Sequence, residues 1–162
     1  MKKVIIFIFL VLICLVLQAT LVGGLQFKGG KPDFLLILIV LWTWNTDWRE
    51  GLTLGFIVGI LEDILFSPLL GLNTFSLCLV GFLTGEIKER VYEENIASVL
   101  LTVGLASILN GAAIFFWSSV FHLSVSFLKK FSSLVLVSSL YNCLLVFFIF
   151  LVREKLWKKR AY

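Results

Sequence analysis

Charge is scarce in this chain. Asp, Glu, Lys and Arg make up 15% of its 162 residues, against 60% hydrophobic residues. A soluble domain is about a quarter charged and about half apolar, so an ordinary water-soluble globule is excluded. No Pro-, Ser- or Gln-rich linker and no low-complexity tract appears, and the length suits one domain, 1–162, rather than two. The three cysteines, Cys14, Cys78 and Cys143, fall singly inside apolar runs and form no CxxC. That pattern argues for free buried thiols over a disulfide framework or a metal site. The one histidine, His122, has no Cys or His near it in sequence. HExxH, GxSxG and a phosphate-cradling glycine loop followed by Lys-Ser/Thr are all missing. The expectation is a protein with no catalytic centre, no metal and no cofactor. The net charge of +4 gives no reason to invoke nucleic acid, because most basic residues flank apolar segments, where they set orientation.

What the chain has instead is one apolar run after another from Val4 to Val152, with a mean hydropathy of +1.05. In lipid every backbone N–H and C=O must be satisfied internally, which dictates helices. The reading is an all-α integral membrane protein, a bundle of six transmembrane helices over 4–22, 32–46, 51–67, 69–86, 96–121 and 131–152. The second span is the weakest, because its clean apolar core is only Phe34–Trp44. Pro32 suits a first helical turn and Asp33 the positive end of the helix dipole. The fifth is longer than a bilayer needs and should tilt or continue past the lipid. Met1-Lys2-Lys3 before an apolar stretch resembles a signal peptide. The run continues to Val22 with no convincing small-x-small cleavage site, so a retained first span is expected.

Six spans put Lys2, Lys3, Arg49, Lys88, Arg90, Arg153, Lys155, Lys158, Lys159 and Arg160 on one side. Only Lys28, Lys31, Lys129 and Lys130 fall on the other. The positive-inside rule then places both termini in the cytoplasm. The tail Arg153–Arg160 reads as a stop-transfer anchor that can also lie on anionic lipid. The mixed-charge stretch 86–95 reads as a helical extension of the fourth span, supported by i,i+3 and i,i+4 pairs. Trp42, Trp44 and Trp48 read as an interfacial aromatic belt.

Helices in lipid associate by close packing and interhelical hydrogen bonds. Gly51, Gly55 and Gly59 form one smooth stripe on the third span, and Gly81 and Gly85 repeat it on the fourth. Gly104, Ser107 and Gly111 lie along one face of the fifth, and the sixth pairs Ser138 with Asn142 and Ser139 with Cys143. These stripes predict a tight cluster of the third, fourth and fifth spans. Charges inside spans often mark function, and Glu62-Asp63 is the clearest case. In the six-span topology Asp33, Glu62, Asp63 and Asn73 converge near the outer surface, with Lys31 available as a counter-charge. Three readings are open: Asp63 caps or pairs with the helix starts at Asp33 and Asn73; the cluster receives a partner helix or strand; or it binds a cation or small polar solute. Glu62 and Asp63, being neighbours, point in different directions and form no dyad.

The order Lys31-Pro32-Asp33-Phe34-Leu35-Leu36, then Gly51-Leu52-Thr53-Leu54-Gly55-Phe56-Ile57-Val58-Gly59-Ile60-Leu61-Glu62-Asp63, then Gly71-Leu72-Asn73-Thr74 and Val80-Gly81-Phe82-Leu83-Thr84-Gly85 resembles the bacterial rod shape-determining MreD family. The likeness covers the whole chain in length and plan, and its specific part runs from Pro32 to Gly85. The loop Asn45–Glu50, with Arg49 alone, is less basic than the family pattern. The resemblance implies a non-catalytic membrane scaffold of the peptidoglycan-synthesising elongation machinery. Its implied partner is MreC and, through it, MreB, a wall polymerase and a penicillin-binding transpeptidase. It also implies a bundle similar to the substrate-binding component of energy-coupling-factor transporters. That kinship keeps a small-solute-binding transporter component as the alternative.

Overall fold

A computed structural model describes residues 2–21, 31–67, 70–91, 96–120 and 126–158. Among these residues the chain forms six helices: α1 (Lys2–Leu21), α2 (Phe34–Trp44), α3 (Trp48–Phe66), α4 (Leu72–Arg90), α5 (Ile96–Val120) and α6 (Ser126–Lys158). Consecutive helices alternate in direction. Lys28, His122, Glu93, Glu94, Lys159, Arg160 and the span edges at 22, 69 and 121 lie outside the described residues. So do the side chains of Trp117, Lys129, Lys130 and residues 153–158.

Among the described residues three helices are long and apolar enough to cross a bilayer, over Lys3–Thr20, Ile96–Phe116 and Val135–Val152. The 33 residues of α6 give about 50 Å of helix, beyond the ~30 Å hydrocarbon core. Helix α2 differs from the expected 32–46. It has 11 residues, about 16 Å, half a bilayer core. Asp33 is extended (φ −116°, ψ 91°) and caps the helix, so the coil begins at Phe34. At the other end of the loop Asp47 accepts the Glu50 N–H at 2.8 Å, which starts α3 at Trp48 rather than Gly51.

This shortest helix is the hub of the bundle. It packs against all five others, and Leu35, Leu36, Ile39 and Val40 have no exposed surface. Helix α1 buries one stripe, Phe7, Val11, Leu15 and Gln18, while Val4, Ile5, Ile8, Phe9, Leu12 and Val16 face outward. In a membrane protein that outward apolar surface meets lipid at no cost.

Helices α3 and α4 make the most extensive contact, and glycine is the reason. A Cβ on Gly55 would strike the Leu77 backbone, on Gly59 the Thr74 backbone, on Gly81 the Gly51 backbone, and on Gly85 Trp48. A Cβ on Gly51 would overlap Thr43 of α2 as well as the Gly81 carbonyl. The five glycines thus let two antiparallel backbones touch along their whole length. The expectation that the α5 stripe joins this cluster is corrected. Gly111 faces Val135, and Gly104 faces Cys143 and Ser139, all on α6. The Ser139 hydroxyl donates to the Gly104 carbonyl at 3.4 Å.

The tryptophan belt is corrected at Trp44, while Trp42 and Trp48 are half-buried. Trp44 is buried in the core, Trp42 packs edge-on against Phe7 at 4.8 Å, and Trp48 meets Phe82 at 5.7 Å. Helix α4 continues to Arg90 with an Arg90–Glu86 pair at 3.5 Å, so the extension expected over 86–95 holds to Arg90 and stops at the extended Val91. All three cysteines are free and half-buried.

Candidate functional site

The alternation of helix directions gathers most of the buried polar side chains at one end of the bundle. The C-terminal turns of α1 and α3, the N-terminal turns of α2 and α4, and facing stretches of α5 and α6 meet there.

Asp63 lies one turn before the end of α3. The chain then reverses and re-enters helix at Gly71, whose φ of 102° suits glycine and which offers no capping side chain. Asp63 supplies the missing cap from the preceding helix. Its carboxylate accepts the N–H groups of Gly71 (2.8 Å), Asn73 (2.9 Å) and Thr74 (3.0 Å), and the Thr74 hydroxyl (2.6 Å). These are the donors that a helix start leaves without intrahelical partners, and the negative charge sits at the positive end of the α4 dipole. Asp63 is 1% exposed.

Glu62 points the other way, as its neighbouring position requires. Its Oε1 accepts from Gln18 Nε2 at 2.9 Å, and Gln18 Oε1 accepts the Phe34 N–H at 3.2 Å. One amide therefore joins α1, α2 and α3. Asp33 is the second hub. One carboxylate oxygen accepts the Leu36 N–H at 2.9 Å and the other accepts Asn110 Nδ2 at 3.1 Å. The Asp33 N–H donates to Asn142 Oδ1 at 2.9 Å, and Asn142 Nδ2 donates to Ser107 Oγ at 2.9 Å. Ser76 of α4 donates to Asn110 Oδ1. The Lys31 N–H donates to Ser138 Oγ at 3.1 Å.

The sequence-predicted residues are thus brought to one end but divided. Asp63 and Asn73 form one unit, and Asn73 contributes its backbone N–H. Asp33 and Glu62 belong to a second, bridged by Gln18. Asp63 caps the α4 start and not Asp33, which carries its own cap. Lys31 acts on Asp33 and Glu62 by its charge at a distance and not through an ion pair. Its side chain is exposed, and among the described residues no cation lies within ion-pair distance of Asp33, Glu62 or Asp63. Neutral amides, hydroxyls and backbone N–H groups satisfy the carboxylates instead. Sequence reasoning missed Gln18, Ser76 and Asn110 altogether. The signal was there: each is a polar residue in a largely apolar run, where a hydrogen-bonding side chain costs free energy unless paired.

Every helix joins this network, and its members are nearly all buried: Gln18 is 6% exposed, Glu62 6%, Ser76 1%, Asn110 8% and Asn142 1%. Among the described residues the buried side-chain polar atoms with no partner are Trp42 Nε1 and Thr43 Oγ1, both on α2 and outside the network. What such an arrangement does chemically is fix helix positions. Its carboxylates have protein donors on them, and each amide bonds through both ends.

No solved structure matches this chain significantly. The family model for the rod shape-determining protein MreD matches residues 1–156. With apolar helices of membrane-spanning length and a match over nearly its whole sequence, the chain is a membrane protein that belongs to the MreD family and has a role in determining rod shape.

Proposed function

We propose that the protein is a non-catalytic scaffold of the cell-wall elongation machinery in the bacterial inner membrane. It crosses the bilayer six times with both termini in the cytoplasm, in a bundle akin to the substrate-binding component of energy-coupling-factor transporters. It holds the membrane anchor and juxtamembrane segment of MreC in a fixed pose. Through MreC it is linked to MreB, the wall polymerase and the penicillin-binding transpeptidase.

One observation supports this reading above the others. The polar groups gathered at one end of the bundle, Asp33, Glu62 and Asp63 among them, are hydrogen-bonded to one another and to helix starts. A solute site needs convergent polar groups with free donors or acceptors, whereas a scaffold needs rigidity and an outer surface for a neighbour. The outer faces of α1, α3 and α6 are apolar and suit a partner helix. The test is a pull-down of the tagged full chain in mild detergent. Stoichiometric retention of MreC is expected, with loss in an Asp63→Leu variant. Purification alone, or with a tightly held metabolite, would overturn the reading.

A further inference from the structure

Helices α1 and α6 both lean on α2, and between them lies a groove of about 660 Å³. Leu38 and Leu41 form its floor, Leu10 and Cys14 one wall, and Leu145 and Ile149 the other. One end differs. Lys3, Asn45 and Thr46 line it, and the Thr46 carbonyl accepts from Lys88 Nζ at 2.7 Å. The Lys3 ammonium therefore stands at the polar end of an otherwise apolar trough. The neighbouring carboxylate, Asp47, is engaged in capping α3.

We propose that this groove binds one chain of an anionic phospholipid, with its phosphate at Lys3 and its acyl chain along α2 toward Phe34. The volume is that of a small-molecule site, and the lining between its ends is apolar, as an acyl chain requires. Charge selects the headgroup, because a basic residue beside an anionic headgroup attracts it. From Lys3 to Leu17 the groove follows about 21 Å of α1, long enough for an extended chain. The site is independent of the scaffold reading, since it lies on the opposite side of Phe34 from the buried network and needs no protein partner.

Native mass spectrometry of the full chain in detergent, titrated with phosphatidylglycerol or phosphatidylcholine, tests this. One retained phosphatidylglycerol is expected, with phosphatidylcholine held more weakly. Lys3→Gln should lower phosphatidylglycerol retention about fivefold, the equivalent of one basic residue at a headgroup, and leave phosphatidylcholine unchanged. Leu38→Trp, which fills the trough, should lower retention of both about tenfold. Should Leu38→Trp fail to fold, the Lys3→Gln comparison still decides, because Lys3 is exposed. Equal retention of the two lipids by the wild type, or retention indifferent to Lys3→Gln, would overturn the proposal. Crosslinking of a protein helix at Cys14 would do so as well.

Discussion

Asp63 caps a helix to which it does not belong. Losing an ordinary cap costs about 0.5–2 kcal/mol. Here the carboxylate also carries the Thr74 hydroxyl in a buried site, so Asp63→Ala should cost at least about 2 kcal/mol and lower the thermal midpoint in detergent. Glu62 offers a contrast. A glutamine there still presents an acceptor to Gln18 Nε2, so Glu62→Gln should change stability by less than about 1 kcal/mol. Glu62→Leu orphans the Gln18 amide and should cost about 1–2 kcal/mol, near the upper end for hydrogen bonds between helices in lipid. Equal losses in the two variants would show that the charge, and not the hydrogen bond, matters at this position. The importance of the Glu62-Asp63 pair was legible in the sequence, because carboxylates in an apolar run demand partners. Their partners were not. Gln18 is 44 residues from Glu62, and no local pattern connects them.

At the level of the helix pair, glycine does different things in different places. On α3 and α4 it permits backbone contact, and Gly55→Ala would drive a Cβ into the Leu77 carbonyl. Gly55→Leu or Gly59→Leu should abolish the folded bundle, read as loss of membrane abundance and of monodisperse elution. On α5 the nearest atom to a Cβ at Gly104 is the Cys143 sulfur at 3.6 Å, an ordinary contact. Gly104→Ala should therefore be tolerated or stabilising, by up to about 1 kcal/mol from helix propensity. The spacing by four announced the α3–α4 stripe correctly, yet the same spacing on α5 faces α6. Periodicity fixes which residues share a face. It does not say which helix that face meets.

At the scale of the whole molecule, α2 is the shortest helix and too buried to remove. Asn110 and Asn142 both converge on Asp33, one on its carboxylate and the other on its N–H. Losing either partner should loosen the same junction, so Asn110→Leu and Asn142→Leu should be non-additive. A double-mutant cycle on thermal stability should give a coupling of at least about 0.5 kcal/mol. Strict additivity would mean that the two amides act on separate parts of the bundle. The proposed six crossings make a further prediction. Reporters fused at Lys2 and at Arg160 should both read as cytoplasmic, and a split result would require an odd number of crossings.

Composition by itself settled the solvent, because a chain this poor in charge has nowhere to live but lipid, and lipid permits only internally bonded helices. It also marked the α3–α4 contact, since glycine at every fourth position leaves a groove whatever its neighbour. Only tertiary structure decided that the half-length helix is the core, that Asp63 caps α4, and that Gln18, Asn110 and Asn142 tie the bundle together. Those outcomes depend on which helix ends meet in space. A hydrogen bond between residues a hundred positions apart leaves no trace in the periodicity of either segment.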